Sequence, residues 1–229
     1  MSLIQENISS EFDAFSKNYK KDMIAVVPHY EVLLEVFLDA IPHDHLVEHV
    51  LDIGCGNGIV TDRLMSKYGG SKYTLVDASA EMLALCRQRF LDRRVDYIQS
   101  YFSEFDFPIA TYDLAVAGFS LHHCDGEEKQ QLFKKIHTAL KPGGLFVISD
   151  LFINKSDEDH PALLKEWEAH VRNHNPGGNK WAWLMEHYAA FDRPDNLENQ
   201  RTWLIKAGFS EVKIICEKGH WINLCAVKA

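Results

Sequence analysis

Residues Leu51-Asp52-Ile53-Gly54-Cys55-Gly56-Asn57-Gly58 constrain this chain more than any other stretch. A short apolar run, His49 to Ile53, leads into three glycines spaced two apart. An apolar, helix-compatible segment follows from Ile59 to Tyr68. The pattern reads as a buried strand, a tight turn and a helix N-terminus. Glycine reaches positive φ and lets a ligand approach the backbone with no Cβ in the way. A helix start offers unpaired N–H groups to an anion or carboxylate. The segment is a candidate nucleotide-type cofactor site, although an ordinary strand-to-helix turn has the same local sequence.

The next strand narrows the choice of cofactor. In a dinucleotide fingerprint the third glycine would fall at Ile59, so close packing of a pyrophosphate-binding helix is not supported. Lys72 to Asp77 reads as a second strand ending in an acid. A carboxylate there, one βα unit after the glycine loop, is placed to accept both ribose hydroxyls. Its alternative role is a helix N-cap, for which Ser79 is the better candidate.

Strands and helices alternate along the rest of the chain. Helices are expected over 5–20, 28–41, 58–68, 79–91 and 126–139, and strands over 95–99, 114–119 and 145–149. Lys141-Pro142-Gly143-Gly144 is expected to end the fifth helix and turn the chain. Such alternation implies a parallel sheet with helices on both faces. Near the C-terminus, strands at 212–216 and 221–227 flank a turn at 217–220 and must pair antiparallel, because a parallel crossover needs a dozen or more residues. Residues 151–193 carry Trp167, Trp181, Trp183, Tyr188, Phe191 and four histidines. They read as two helices, about 160–174 and 178–190, split by Asn175-Pro176-Gly177-Gly178, with a further helix starting near Pro194. Ligands bind at the carboxyl ends of strands in open α/β sheets. This insertion, with residues 1–41, is therefore read as a lid over a substrate pocket, with the core at about 47–150 and 194–229 of a single domain.

With 46% hydrophobic and 25% charged residues, the composition is that of an ordinary globular domain. No apolar run reaches the roughly 18 residues of a membrane helix, and no N-terminal signal pattern is seen. The net charge of −9 argues against nucleic-acid binding, which needs basic patches. Five cysteines without C-x-x-C spacing suit free thiols in a reduced, cytoplasmic setting. His43, His45 and His49 cluster, and His170 and His174 are four apart, but neither group has a matching ligand pattern, so no metal is expected.

Four segments, LDIGCGNG at 51–58, TLVDAS at 74–79, YDLAVAGFSLHH at 112–123 and LKPGGLFVISD at 140–150, occur in an order and at intervals that resemble the class I S-adenosylmethionine (SAM) dependent methyltransferases. The resemblance covers roughly residues 47–150. It implies a Rossmann-like three-layer α/β sandwich, with a mostly parallel seven-stranded sheet and one antiparallel C-terminal strand. It also implies SAM as cofactor, S-adenosylhomocysteine as product, and a small-molecule acceptor for a monomer or homodimer. By that resemblance, Gly54, Cys55 and Gly56 face the methionine part of SAM and Asp52 stands near its amino group. Asp77 takes the ribose. Ala78 and Met82 flank the adenine, with Met82 supplying soft apolar contact. Many relatives place a Gly-Asp pair after strand three. Here Gln99-Ser100-Tyr101-Phe102 stands there, so Ser100 or the Phe102 backbone substitutes for an acid replaced by Tyr101. Ala117 and Phe119 lie beside the transferred methyl. His122 and His123 are candidate general bases or pocket-shaping groups, and Tyr19 and Tyr30 are candidates for closing over the cofactor.

Missing Asp/Asn-Pro-Pro-Tyr and Pro-Cys segments disfavour adenine-N6, glutamine-amide and cytosine-C5 methylation. Two other functions remain open. A fainter resemblance to carboxy-SAM synthases involves Phe12-Asp13, Pro28-His29-Tyr30 and Lys206-Ala207-Gly208-Phe209, but Trp203 stands where those enzymes carry a carboxylate-binding arginine. The other is a non-catalytic SAM-binding protein or a nucleotide-dependent oxidoreductase.

Overall fold

The computed structural model describes residues 19–229, with side chains from residue 21. Most of the helix expected over 5–20 lies outside the described residues. Helices α1 (Tyr19–Val26) and α2 (Tyr30–Asp39) precede the sheet. Alternation then follows: β1 (His49–Ile53), α3 (Ile59–Lys67), β2 (Lys72–Asp77), α4 (Ala80–Arg89), β3 (Val95–Gln99) and β4 (Tyr112–Gly118). A short 3-10 turn at Leu121–His123 leads to α5 (Gly126–Ala139) and β5 (Leu140–Leu151). After these come α6 (His160–His174), α7 (Lys180–Ala190), α8 (Leu197–Ala207), β6 (Glu211–Lys218) and β7 (Trp221–Val227).

The seven strands form one sheet in the order β3-β2-β1-β4-β5-β7-β6. Neighbours from β3 to β5 are parallel, and β7 runs antiparallel between β5 and β6. The sandwich and its single reversed strand are as expected. Side chains alternate between two helix layers, as a strand's period of two requires. Val50, Leu75, Leu114 and Val147 pack toward α2, α3 and α4. Leu51, Val76, Ala115 and Ile148 pack toward α5 and α8.

Two differences have physical reasons. The Lys141-Pro142-Gly143-Gly144 segment does not leave the sheet. Tyr112 pairs with Leu140 and Leu114 with Leu145, so the four residues form an irregularity within a longer β5. The Lys228 backbone closes it, accepting from Gly143 N–H and donating to Gly144 C=O, each at 2.9 Å. Helix α2, grouped with the lid by sequence, is part of a core layer. Tyr30, Leu33, Leu34 and Phe37 are buried, and Asn223 Nδ2 of β7 donates to Leu33 C=O at 3.1 Å. Of the other segments expected as a lid, the described residues form α1, α6 and α7. The buried Trp167 of α6 donates its indole N–H to Val26 C=O at 2.5 Å, and Lys180 of α7 pairs with Asp22 of α1. No described helix is long and apolar enough to cross a membrane.

Candidate cofactor loop and adjoining cavity

β1 ends in the glycine loop, whose backbone is held by β2. The N–H groups of Gly54 and Cys55 both donate to Val76 C=O, at 2.8 and 3.2 Å. Gly56 N–H donates to Asp77 Oδ2 at 2.8 Å, and Ser79 N–H to Asp77 Oδ1 at 2.9 Å. Asp77 therefore organises the loop as well as standing at a strand end. Ser79 caps α4 by accepting from Met82 N–H at 3.1 Å, as its sequence position suggests. Because the amides of residues 54–56 are engaged, a ligand at this loop meets Cα surface rather than those N–H groups.

The residues fit a nucleoside with a charged amino-acid tail. Asp52 is buried. Its Oδ2 accepts from Thr61 Oγ1 at 2.6 Å, and its Oδ1 has no partner among the described residues. Asn57 Oδ1 is likewise buried and unpartnered. Unpaired buried polar atoms are costly unless a ligand or water completes them. Helix α3 starts at Gly58 without a side-chain cap, leaving first-turn amides for an anionic group. Burial pushes the Asp52 carboxyl up to about 7, opposed by its bond to Thr61 and reinforced by the Asp77 charge.

The other predicted cofactor residues sit around this loop unevenly. Ser100 N–H donates to Asp77 C=O at 3.0 Å, tying the β3 end to the same corner. The Phe102 ring reaches within 3.1 Å of where a Gly54 Cβ would lie. Met82 and Cys55 are buried; Ala78 and Tyr101 are part-exposed. Burial also pushes the Cys55 thiol well up, so it is no thiolate nucleophile. Ala117 is fully buried on the α5–α8 side and does not line the cavity described next. Tyr19 opens α1, but its side chain lies outside the described residues. Tyr30 is buried, its ring 5.1 Å from that of Phe119.

Past β4 the chain makes a strained corner. Phe119 has φ 55°, a left-handed conformation unusual for a bulky residue. Its N–H donates to Ser149 C=O at 2.7 Å, and Ser120 Oγ donates to Ile53 C=O at 2.9 Å, linking this corner to the glycine loop. Phe119 then forms one wall of a cavity of about 70 Å³. Met23 of α1, Trp167 of α6 and Trp183 and Leu184 of α7 face Phe119, Leu151 and Trp221 beside the strand ends, and His122, His123, His187 and Asp192 supply the polar side. Among the described residues, no lysine or arginine lines it.

The polar side is tightly built. His122 Nδ1 lies 2.5 Å from Asp150 Oδ1. Asp150 Oδ2 accepts from the N–H groups of Leu121 and His122, at 2.9 and 3.0 Å. Burial alone would lower His122, but the carboxylates of Asp150 and Asp192 outweigh it and hold the imidazole up at about 9. Burial and the His122 charge lower His123. Burial lowers His187 to about 4. Asp192 would be raised by burial, but the surrounding imidazoles hold it at about 2. At neutral pH His122 is thus a proton-bearing group, and the base role expected of it fits its neutral neighbours His123 and His187 better.

Sequence reading missed Asp150, His187 and Asp192. Asp150 had a signal: it stands one residue before the end of β5, much as Asp77 stands at the end of β2. His187 and Asp192 had none, because only the docking of α7 brings them to His122. The histidine groups singled out in the sequence have other partners. His45 bonds to Asp113 C=O, His49 to Thr74 Oγ1, His170 to Ile24 C=O and His174 to His170 C=O.

A family model described as a methyltransferase domain matches residues 50–144. A curated carboxy-S-adenosyl-L-methionine synthase of Chromohalobacter salexigens is 26% identical over 212 residues, covering 88% of this chain and 77% of that protein. Among solved structures, a SAM-dependent methyltransferase of Thermotoga maritima superposes with TM-score 0.66 at 16% identity, covering 97% of this chain and all of that one. A phosphoethanolamine N-methyltransferase of Haemonchus contortus gives 0.64 at 17% identity; this chain covers 60% of its length with 95% of its own. At such identities the structural likenesses speak for the fold. Together with the seven-stranded topology they show the Rossmann-like fold of the SAM-dependent methyltransferases, and residues 50–144 carry the sequence pattern of a methyltransferase domain.

Proposed function

We propose that this protein transfers a methyl group from SAM to a small-molecule acceptor held in the cavity between the lid and the strand ends. One observation carries the reading: an aromatic-walled cavity with a His–Asp side joins the glycine loop through the Phe119–Ser120 corner. Asp77 and the loop would hold the ribose, and Asp52 with the start of α3 the amino-acid tail. When bound, SAM supplies a methyl on a sulfonium, open to in-line attack by an acceptor heteroatom. The chain's own residues then position the acceptor, exclude water and accept its proton.

Carboxy-SAM synthesis is the second reading, favoured by the curated relatives. The lining speaks against it, since no lysine or arginine among the described residues lines the cavity. Trp203, at the place of those enzymes' arginine, packs instead against Gly126 of α5.

Calorimetry tests the cofactor assignment. SAM and S-adenosylhomocysteine should bind and NAD should not; tighter NAD binding would sink the proposal. The Asp52 carboxyl adds a pH signature. Its folded value, about 7, exceeds the ordinary 3.8, so the ligand-free chain loses stability as pH rises from about 3.8 toward 7. An ammonium-bearing ligand favours the ionised carboxylate. SAM affinity should therefore rise as pH climbs through about 7, and Asp52→Asn should flatten the profile. A profile unchanged by that substitution would remove Asp52 from the ligand site.

We also propose that α1, α6 and α7 open to admit the acceptor and close over it. The support is their position as one wall of the cavity. Hydrogen exchange should be faster in these helices than in the sheet, and S-adenosylhomocysteine should slow it. Sheet-like protection in the free protein would mean they are fixed packing.

A further inference from the structure

We propose that His122, His123 and Asp192 bind a divalent transition-metal ion on the polar side of the cavity, with His187 at an exchangeable fourth position. The ligand atoms of the first three lie within 4.8 Å of one another. Asp192 Oδ1 is their common point, 3.1 Å from His123 Nδ1, 3.5 Å from His187 Nε2 and 3.9 Å from His122 Nε2. Bonds of roughly 2.0–2.2 Å to zinc put tetrahedral ligands about 3.3 Å apart. The observed separations bracket that spacing, so small side-chain shifts complete the site. Imidazole with one carboxylate is the donor set that suits zinc and its first-row neighbours.

Outer contacts match what such a site needs. Asp150 holds His122 Nδ1 at 2.5 Å, which turns Nε2 toward the cavity. Asp150 is itself fixed by three backbone N–H groups, those of Leu121, His122 and Leu151. A carboxylate behind a ligating histidine sets its tautomer and raises its basicity.

The ligands come from two bodies: His122 and His123 follow β4 in the core, whereas His187 and Asp192 belong to the lid. An ion here would join lid to core. Its exchangeable position opens on the aromatic cavity, so the acceptor it favours carries an oxygen, nitrogen or sulfur donor on an otherwise apolar body. That role toward the acceptor rests on the methyl-transfer reading; the binding of the ion does not.

Cobalt(II) titration of the full chain, stripped with a chelator, tests the site. One equivalent should bind and give the strong visible absorption of tetrahedral cobalt, which zinc then quenches. His123→Gln and, separately, Asp192→Asn should each weaken uptake at least about a hundredfold, since loss of an outer partner alone costs 10–100-fold. Circular dichroism checks that each variant is folded. Absence of the visible band in the unsubstituted chain, or uptake indifferent to both substitutions, overturns the proposal. S-adenosylhomocysteine calorimetry on the same samples keeps the two readings apart. Nucleoside binding without cobalt uptake removes the metal site alone, and cobalt uptake without nucleoside binding removes the cofactor reading alone.

Discussion

Gly54→Ala should lower stability by about 2–5 kcal/mol and abolish measurable SAM binding. Gly54 has φ +68°, and forcing an L-residue there costs roughly 1–2 kcal/mol. A Cβ would also lie 2.4 Å from Ser120 Cβ and 2.7 Å from Ser120 Oγ. Ser120 cannot yield freely, because its hydroxyl holds Ile53 C=O and its neighbour Phe119 is already strained. Overpacking of this kind adds about 1–3 kcal/mol. Gly219 isolates the two contributions. It has φ +61° in the β6–β7 turn with nothing within 4 Å of an added Cβ. Gly219→Ala should therefore cost only the conformational part and leave SAM affinity unchanged. Urea melts of both variants, with calorimetry, are the measurement. Equal losses would mean that the Gly54–Ser120 approach is not what demands glycine.

The comparison also shows where the sequence was informative. The βα alternation, the 49–53, 72–77 and 95–99 strands and the 221–227 hairpin arm were legible because buried strands read as short apolar runs bounded by turn residues. The β5 extension through Lys141-Pro142-Gly143-Gly144 was not, because Pro and Gly signal a break locally. Its place in the sheet depends on the backbone of Lys228, far along the chain. The same distinction divides the site. The glycine loop and Asp77 are adjacent to their own strands, so position along the chain locates them. His187 and Asp192 reach His122 only through docking of α7, a tertiary event that leaves no periodicity. Local spacing thus located the glycine loop and Asp77 and left the polar side of the cavity to be found in the fold.

Asp77→Ala should show two losses at once, and their separation distinguishes ligand binding from loop architecture. The carboxylate accepts from Gly56 N–H and Ser79 N–H, at 2.8 and 2.9 Å. Hydrogen bonds to charged groups are worth about 1.5–3 kcal/mol each, so the ligand-free variant should lose about 2–4 kcal/mol after partial rehydration of the loop. Each ionised oxygen keeps further acceptor capacity, so a ribose can bind without displacing either backbone donor. Losing those ribose contacts should lower SAM affinity by at least about a hundredfold. Asp77→Asn separates the effects. Its amide oxygen can keep one backbone donor, but its NH₂ opposes the other, so stability should fall by less than in Asp77→Ala. Affinity should still fall at least about tenfold, because the charge that strengthens the hydroxyl bonds is gone. Calorimetry with S-adenosylhomocysteine and urea melts on the three proteins decide the matter. If Asp77→Asn binds as tightly as the unsubstituted chain, Asp77 is a loop brace and the ribose is held elsewhere.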